Sequence, residues 1–319
     1  MNTDAEMPDF PGLQRAIGRA VLGQDEAIED VLAAFLAGGH VLLEGVPGLG
    51  KTLLVLAIAR AIDGTFARIQ FTPDLMPSDV TGHAMYDMQT GEFRIRRGPV
   101  FVNLLLADEI NRAPAKTQAA LLELMQERQV TIEGQAIECP QPFMVLATQN
   151  PLDQEGTYPL PEAQLDRFLL KVRLSYPSEV DEQAIVRVVT TGRVGHCLDV
   201  SAVAQVLDLD AAARAQQLVA ETMVDDRIVA YAVALVRATR TGRGMVVGAG
   251  PRGAIALVRV ARAYAVLAGR DFVVADDVKR AALPALRHRV IVAPELEVEG
   301  LDVDAALRSV LQGVEAPRQ

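Results

Sequence analysis

Cysteine is scarce in this sequence, and its placement excludes several kinds of site. Cys139 and Cys197 are the only two cysteines, and neither belongs to a C-x-x-C pair or to a zinc-ligand spacing. The four histidines are equally scattered, so no zinc site is predicted. Isolated cysteines of this kind are typical of reducing compartments, and we therefore expect free thiols in a cytoplasmic protein.

Long apolar runs and an excess of positive charge are also absent. No run of about 18 apolar residues occurs, so no membrane-spanning helix is expected. The acidic residues 1–10 lack the basic and apolar regions of a secretory signal. The formal net charge of −10 argues against nucleic acid as the partner. The 319 residues, of which 50% are hydrophobic, suffice for two domains with their own cores.

One stretch matches a phosphate-binding pattern at every fixed position. Its sequence is Gly45-Val46-Pro47-Gly48-Leu49-Gly50-Lys51-Thr52, which fits G-x-x-x-x-G-K-[ST]. A short apolar run, residues 40–44, precedes it, and residues 53–62 contain strong helix formers without a breaker. Strand, glycine-rich loop and helix form the context that a phosphate-binding loop requires.

The residue types of this stretch suit a nucleotide. Its glycines let the backbone take positive φ and approach a ligand closely, and the helix start behind them carries partial positive charge. Lys51 can reach the β- and γ-phosphates, and the Thr52 hydroxyl can ligate Mg²⁺. A plain turn between strand and helix would explain the glycines but not Lys51 followed by Thr52. The sequence therefore predicts nucleotide binding.

A second signature lies at the end of another apolar run. Residues 100–107 are apolar except for Asn103, and they lead directly into Asp108 and Glu109. Ligands of open α/β sheets bind where the parallel strands end. Asp108 would hold Mg²⁺, directly or through water, and Glu109 would polarise the attacking water. A solvated acidic turn is the alternative interpretation.

The order of predicted elements indicates an α/β fold: a parallel-sheet core with helices on both faces, followed by an α-helical lid. Residues 72–99 are too long for a simple connection and predict an insertion with its own hairpin or small helix. Residues 128–142 predict a β-hairpin. After residue 178 the pattern is helical, with no clear internal strand. We assign the nucleotide-binding domain to residues 1–176 and the lid to residues 177–319.

Several strings together resemble the AAA+ ATPases, and in particular their MoxR branch. They are residues 104–113 (LLLADEINRA), 147–151 (ATQNP), 160–168 (LPEAQLDRF) and 286–289 (LRHR). With the phosphate-binding loop, the resemblance extends from about Gly23 to Leu311. It implies a P-loop NTPase core of the AAA+ type. Residues 72–99 would then be the insertion in helix 2 of that core, and residues 128–142 the hairpin before sensor 1.

The resemblance implies roles for three further residues. Asn150 matches sensor 1, which orients the attacking water. Arg167 matches the arginine finger, which acts on the nucleotide of a neighbouring subunit, and Arg252 matches sensor 2 at the start of a lid helix. Plainer interpretations exist for both arginines: Arg167 could pair with Asp166 or Glu162, and Arg252 could be an exposed arginine at a helix start.

Two more residues complete the predicted nucleotide contacts. Gln24 lies in the turn before the second predicted helix, and Leu53 follows Thr52. The basic run Arg94, Arg96 and Arg97 in the insertion is either a solvated strand face or a contact with a partner.

The resemblance also implies an activity and partners. The reaction would be Mg²⁺-dependent hydrolysis of ATP to ADP and phosphate, performed in a ring that we expect to be a hexamer. The ring would remodel a partner protein, by family analogy one with a von Willebrand factor A domain, for metal or cofactor insertion or complex maturation. Two alternatives stay open: a nucleic-acid motor of the same insertion-bearing branch, and a nucleotide-switch scaffold that does not hydrolyse ATP.

Overall fold

The structure is a computed structural model that describes residues 8–149, 157–191, 198–295, 300 and 302–317. The chain divides into two compact units, each built from more than one segment. The first unit comprises Met1–Glu29, Leu43–Pro159 and Arg173–Ala215, and the second comprises Asp30–Leu42, Leu160–Val172 and Gln216–Gln319. The domain boundary expected near residue 176 stays a prediction.

Helices and strands alternate in the first part of the chain, and helices dominate the second. The elements up to residue 173 are α1 (Phe10–Gly18), α2 (Asp25–Leu36), β1 (Val41–Glu44), α3 (Lys51–Ala61), β2 (Phe66–Gln70), α4 (Pro77–Thr81), β3 (Gly82–Asp87), β4 (Glu92–Arg97), β5 (Leu104–Asp108), α5 (Ala115–Glu127), β6 (Gln129–Ile132), β7 (Gln135–Glu138), β8 (Met144–Gln149), α6 (Glu162–Leu165) and β9 (Leu170–Arg173). The later elements are α7 (Glu179–Thr190), α8 (Leu209–Glu221), α9 (Asp226–Thr241), β10 (Met245–Val247), α10 (Pro251–Leu267), α11 (Ala275–Leu286), β11 (Ile291–Val292) and α12 (Val303–Gln312).

Five strands form a parallel sheet in the order β2-β5-β8-β1-β9, which confirms the expected α/β core. Residues 104–107 of β5 are fully buried, as is typical of a strand covered on both faces. The register places Gln70 of β2 opposite Asp108 of β5. Because parallel strands end at the same edge of a sheet, the side chains at these carboxyl ends come together there.

Local sequence explains where three helices begin. The Asp9 carboxylate accepts a hydrogen bond from the Gly12 amide at 2.8 Å, which caps α1. α3 begins at Lys51 directly after Gly50, whose φ is 81°. α10 begins at Pro251, which suits a first helical turn because that turn needs no amide proton from it.

The insertion at residues 72–99 contains a short helix, α4, and an antiparallel hairpin, β3–β4. The hairpin is narrow at its base, where a Cβ on Gly98 would lie 2.2 Å from the Val80 carbonyl oxygen. Further out it exposes apolar side chains. Tyr86 and Phe93 stand edge to face with ring centroids 5.3 Å apart, and Met88 at the turn is 91% exposed. A second hairpin, β6–β7, occupies residues 129–138.

The second unit is largely helical, with α10 packed against α9 and α11. The fully buried Tyr264 of α10 donates a hydrogen bond from its hydroxyl to the Asp30 carboxylate of α2. Helices such as α10 and α11 agree with the helical pattern predicted after residue 178. None of the helices in the described ranges is long and apolar enough to cross a membrane.

The prediction that the chain has no clear strand after residue 178 was wrong, because β10 and β11 lie there. β10 and β11 pair antiparallel, with Met245 opposite Val292. These strands are three and two residues long and lie far apart in the sequence. Segments so short show no alternation of apolar and polar residues, so the pattern could not identify them.

Candidate nucleotide site

The phosphate-binding stretch forms an accessible loop between β1 and α3. Gly48 and Gly50 have φ of 89° and 81°, a region that favours glycine. Apart from chain neighbours, no heavy atom of the described residues lies within 4 Å of the place where a Cβ would stand on either glycine. At Gly45, in contrast, a Cβ would lie 3.1 Å from the Leu174 carbonyl oxygen. The loop thus lets a ligand reach backbone amides at the start of α3, where anions are favoured.

Lys51 and Thr52 lie in the first turn of α3. The Lys51 ammonium donates a hydrogen bond to the Gly45 carbonyl oxygen at 2.6 Å. Burial lowers the pKa of Lys51, while the charges of Asp108, Glu109 and Glu44 act in the opposite direction. The structure therefore brings the lysine of the loop and the two predicted carboxylates into one electrostatic site.

A cavity of about 370 Å³ adjoins this loop within the first unit. Leu49 and Leu53, both predicted as nucleotide contacts, line it together with the loop glycines Gly48 and Gly50. The remaining wall is mostly apolar and includes Val21, Leu22, Pro177, Ile185 and Val188. Its volume lies within the range typical of small-molecule sites.

Gln24, another predicted contact, also lines the cavity. Its side chain is buried, and its Nε2 donates a hydrogen bond to the Ser175 carbonyl oxygen at 2.8 Å. That bond fixes the amide beside the cavity and joins the start of α2 to the segment that leads into α7.

Asp108 ends β5 with both carboxylate oxygens engaged. The Thr148 hydroxyl of β8 donates to Asp108 Oδ1 at 2.6 Å and accepts a hydrogen bond from the Glu109 amide at 2.8 Å. Thr148 is fully buried, so this bridge fixes the Asp108 carboxylate and the backbone of Glu109 relative to each other. Thr148 is not among the predicted site residues, although a polar residue at the end of an apolar strand is a usable signal.

Glu109 has a backbone conformation that is rare for a residue with a side chain, with φ of 56° and ψ of 49°. Such left-handed residues cost on the order of 1–2 kcal/mol and concentrate at functional sites. The carboxylate is held by two partners: Gln70 Nε2 donates to Glu109 Oε2 at 2.7 Å, and Arg112 Nε lies 3.2 Å from the same oxygen.

Arg68 is a further residue of this site that was not predicted from the sequence. Its Nε and Nη2 donate to Asp108 Oδ2 at 3.1 and 2.6 Å, and Nη2 also donates to Gln70 Oε1 at 2.8 Å. Arg68 and Gln70 are two positions apart on β2, so their side chains leave the strand on the same face. The two residues therefore contact both carboxylates of the site.

The two predicted sensor and finger arginines lie in the second unit. Arg252, near the start of α10, has its Nη1 3.3 Å from Asp166 Oδ2. The other carboxylate oxygen of Asp166, Oδ1, accepts a hydrogen bond from the Nε of Arg289 at 2.8 Å. Arg167, in the turn after α6, is half-buried. Among the described residues no ion pair of its guanidinium is found, so the pairing with Asp166 or Glu162 is not seen there.

The LRHR string at residues 286–289 holds the segment around Arg167. Arg289 Nη2 donates to the Phe168 carbonyl oxygen at 2.7 Å, and His288 Nε2 shares that acceptor at 3.0 Å. Arg287 Nη1 donates to the Lys171 carbonyl oxygen at 3.1 Å. Burial lowers the pKa of both Arg289 and His288.

The predicted site residues thus fall into three groups. The loop residues Gly45 to Leu53, Gln24, Asp108 and Glu109 all lie in the first unit, whereas Arg167 and Arg252 lie in the second. Asn150, the predicted sensor 1, lies outside the described residues.

Comparison with known proteins defines the class. Residues 40–170 match the model of the ATPase family associated with various cellular activities (AAA), and residues 237–310 match that of the AAA lid domain. A crystal structure of a protein from Cytophaga hutchinsonii is similar, with a TM-score of 0.88 and 40% identity, covering 97% of this chain and 94% of that one. The chain is an AAA+ ATPase with an α/β P-loop core and a helical lid.

Full-length relatives narrow the class to a family. The chain is 44% identical to "Chaperone MoxR1" of Mycobacterium tuberculosis (96% of this chain, 82% of that one) and 34% identical to "Protein MoxR" of Methylorubrum extorquens (95% and 94%). It is 46% identical to "Uncharacterized protein YeaC" of Bacillus subtilis (95% and 93%). The chain belongs to the MoxR family and is a chaperone-like AAA+ ATPase.

Proposed function

We propose that the first unit binds Mg²⁺–ATP with the phosphates on the loop of residues 45–52 and the base in the adjoining cavity. This proposal rests on the observation that the loop and the cavity are continuous, because Gly48, Leu49 and Gly50 belong to both. The open backbone at Gly48 and Gly50 suits phosphate oxygens, and the apolar wall suits a flat base.

The donor set at the end of β5 fits a magnesium ion that arrives with the nucleotide. Asp108 and Thr52 supply carboxylate and hydroxyl oxygens, which Mg²⁺ prefers, and Mg²⁺ usually takes its other ligands from water and phosphate. Within the described ranges, no group of three or more His, Cys, Asp or Glu side chains could hold a metal by itself. When bound, the ion would neutralise charge on the phosphates.

Hydrolysis then depends on residues with separate tasks. Lys51 would leave the Gly45 carbonyl oxygen and face the β- and γ-phosphates. Glu109, held beside the metal ligand by the Thr148 bridge, would accept a proton from the attacking water or orient it. Asn150 would help to position the same water, and Arg252 would contact the phosphates from the lid.

We further propose that the active form is a ring, with six subunits as the expected number, and that Arg167 acts on the nucleotide of the neighbouring subunit. Two observations support this role. The Arg167 guanidinium lacks an ion pair among the described residues, and the LRHR string fixes the backbone on its C-terminal side. An arginine finger is worth about 10³–10⁵ in rate, or roughly 4–7 kcal/mol.

Subunit mixing tests the ring. Arg167→Ala subunits keep the phosphate site, and Lys51→Ala subunits keep the finger, so mixed rings should regain part of the activity that neither variant has alone. The measurement is ATP turnover against mixing ratio, with subunit exchange followed by native mass spectrometry. Turnover that stays at the sum of the two parents at every ratio, despite confirmed exchange, contradicts action across an interface.

The most specific part of the proposal concerns the client, the protein that the ring would remodel. Family analogy suggests a protein with a von Willebrand factor A domain, remodelled for metal or cofactor insertion or for complex maturation. Glu109→Gln rings should retain such a partner in the presence of ATP, and Lys51→Ala chains, as the matched control, should not. Size-exclusion chromatography with the partner measures this, and binding that ignores the nucleotide contradicts it. Turnover stimulated by DNA would instead favour a nucleic-acid motor, against which the net charge of −10 argues.

A further inference from the structure

Arg68 contacts Oδ2 of Asp108, the carboxylate oxygen that is not hydrogen-bonded to the buried Thr148. Oδ1 is bonded to the buried Thr148 hydroxyl, whereas Oδ2 accepts two N–H groups of Arg68, the shorter at 2.6 Å. Asp108 is also the carboxylate proposed to hold Mg²⁺. The two N–H groups of Arg68 already take up the acceptor positions of Oδ2, so a metal ion that coordinates this oxygen must replace at least one of them, and the two cations also repel each other.

Arg68 is placed so that it can leave. It lies on β2, an edge strand of the sheet, and its side chain is 47% exposed whereas that of Asp108 is 16% exposed. Its only other hydrogen bond among the described residues runs to Gln70. A long side chain with this exposure can swing into solvent without exposing apolar core.

We propose that Arg68 occupies the metal position on Asp108 in the nucleotide-free chain and that Mg²⁺–nucleotide must displace it. This inference rests on the proposed metal–nucleotide site and adds a residue that sets its metal affinity. Arg68 is thus a positioning residue that acts through Asp108.

The displacement reaches the second carboxylate through Gln70. The Oε1 of Gln70 accepts from Arg68 while its Nε2 donates to Glu109. Once Arg68 leaves, Gln70 loses the partner that fixes its amide, and its hydrogen bond to Glu109 weakens. Metal loading therefore loosens one of the two contacts of the Glu109 carboxylate and leaves its contact with Arg112 in place.

Arg68→Gln should consequently bind the metal–nucleotide more tightly. Exposed ion pairs contribute up to about 1 kcal/mol, which corresponds to a change of up to about fivefold in affinity. The probe is Mn²⁺ binding, followed by electron paramagnetic resonance, at a saturating concentration of a non-hydrolysable ATP analogue. We expect Arg68→Gln to bind Mn²⁺ about two- to fivefold more tightly than wild type, and the difference should shrink in high salt.

Two variants serve as controls. Arg15→Gln removes one exposed positive charge from the same unit, next to Asp9 rather than Asp108, and should bind Mn²⁺ like wild type. Arg68→Lys keeps the charge and should stay close to wild type. Circular dichroism melting confirms that each variant is folded.

The outcomes separate this inference from the proposed function. Equal or weaker Mn²⁺ binding by Arg68→Gln, with normal nucleotide-dependent binding by wild type, overturns the inference alone. If wild type shows no Mn²⁺ binding that depends on the nucleotide and on Lys51, the metal–nucleotide site itself is wrong, and the inference falls with it.

Discussion

Asp166 pairs with two arginines whose surroundings differ, and this difference predicts opposite consequences of removing them. The side chain of Arg289 is 4% exposed, whereas that of Arg252 is 56% exposed. Besides Asp166, Arg289 donates to the carbonyl oxygens of Phe168 at 2.7 Å and Leu169 at 3.2 Å. No such network surrounds the Arg252 guanidinium among the described residues.

Arg289→Met should therefore destabilise the second unit strongly. Breaking a buried, hydrogen-bonded ion pair costs about 3–5 kcal/mol, because acceptors at Leu169 and Asp166 lose their donor while still largely shielded from water. Arg252→Met removes an exposed pair worth about 0–1 kcal/mol. At about 2–4 °C per kcal/mol, the expected losses in Tm are roughly 6–20 °C and at most about 4 °C.

The assay is thermal and urea unfolding followed by far-ultraviolet circular dichroism, since the chain has no tryptophan to report by fluorescence. The two variants are matched, because each removes one arginine from the same carboxylate. Stability and turnover should not change together. Arg252→Met, the variant with the smaller loss of stability, should fold normally and hydrolyse ATP slowly. Equal stability losses for the two variants would refute the burial argument.

Two further predictions concern the insertion and the buried thiol. In the first, residues 83–97 are excised and Gly82 is joined to Gly98, because the two backbones already meet at the base of the hairpin. We expect unchanged basal ATP turnover but no remodelling of the client, because the exposed Tyr86, Met88 and Phe93 are lost. A truncated chain that still remodels its client would exclude the hairpin as the working element. In the second, burial raises the pKa of Cys139 to about 11. A Cys197→Ser chain at pH 8 should therefore not react with a thiol reagent when it is native, and it should react fully in urea. Rapid labelling of the native chain would contradict the buried, protonated state.

Much of the fold could be predicted because its signals are local. The phosphate-binding stretch and its flanking strand and helix are contiguous, and Pro251 marks the first residue of α10. The parallel core follows from apolar runs alternating with amphipathic helices. In contrast, β10 and β11 are created by pairing between distant segments, and no local pattern of two or three residues encodes them.

The site shows the same division between local and distant information. The positions of Lys51 at the start of α3 and of Asp108 at the end of β5 could be predicted, because each residue stands in a motif within a few residues of its own element. Arg68 contacts Asp108 only because the register sets β2 beside β5, and Arg289 contacts Asp166 across more than a hundred positions. The left-handed backbone of Glu109 is likewise imposed by its surroundings, since glutamate has no intrinsic preference for that conformation.

We propose that Glu109 drives hydrolysis at a site where Lys51 binds the phosphates. The most direct measurement compares ATP binding with phosphate release in wild type, Glu109→Gln and Lys51→Ala. Glu109→Gln keeps the size and hydrogen bonding of the side chain but not its charge, so we expect wild-type binding with phosphate release slowed by about 10²-fold or more. Lys51→Ala should lose binding itself. Phosphate release by Glu109→Gln at the wild-type rate, or wild-type binding and turnover by Lys51→Ala, would contradict the account.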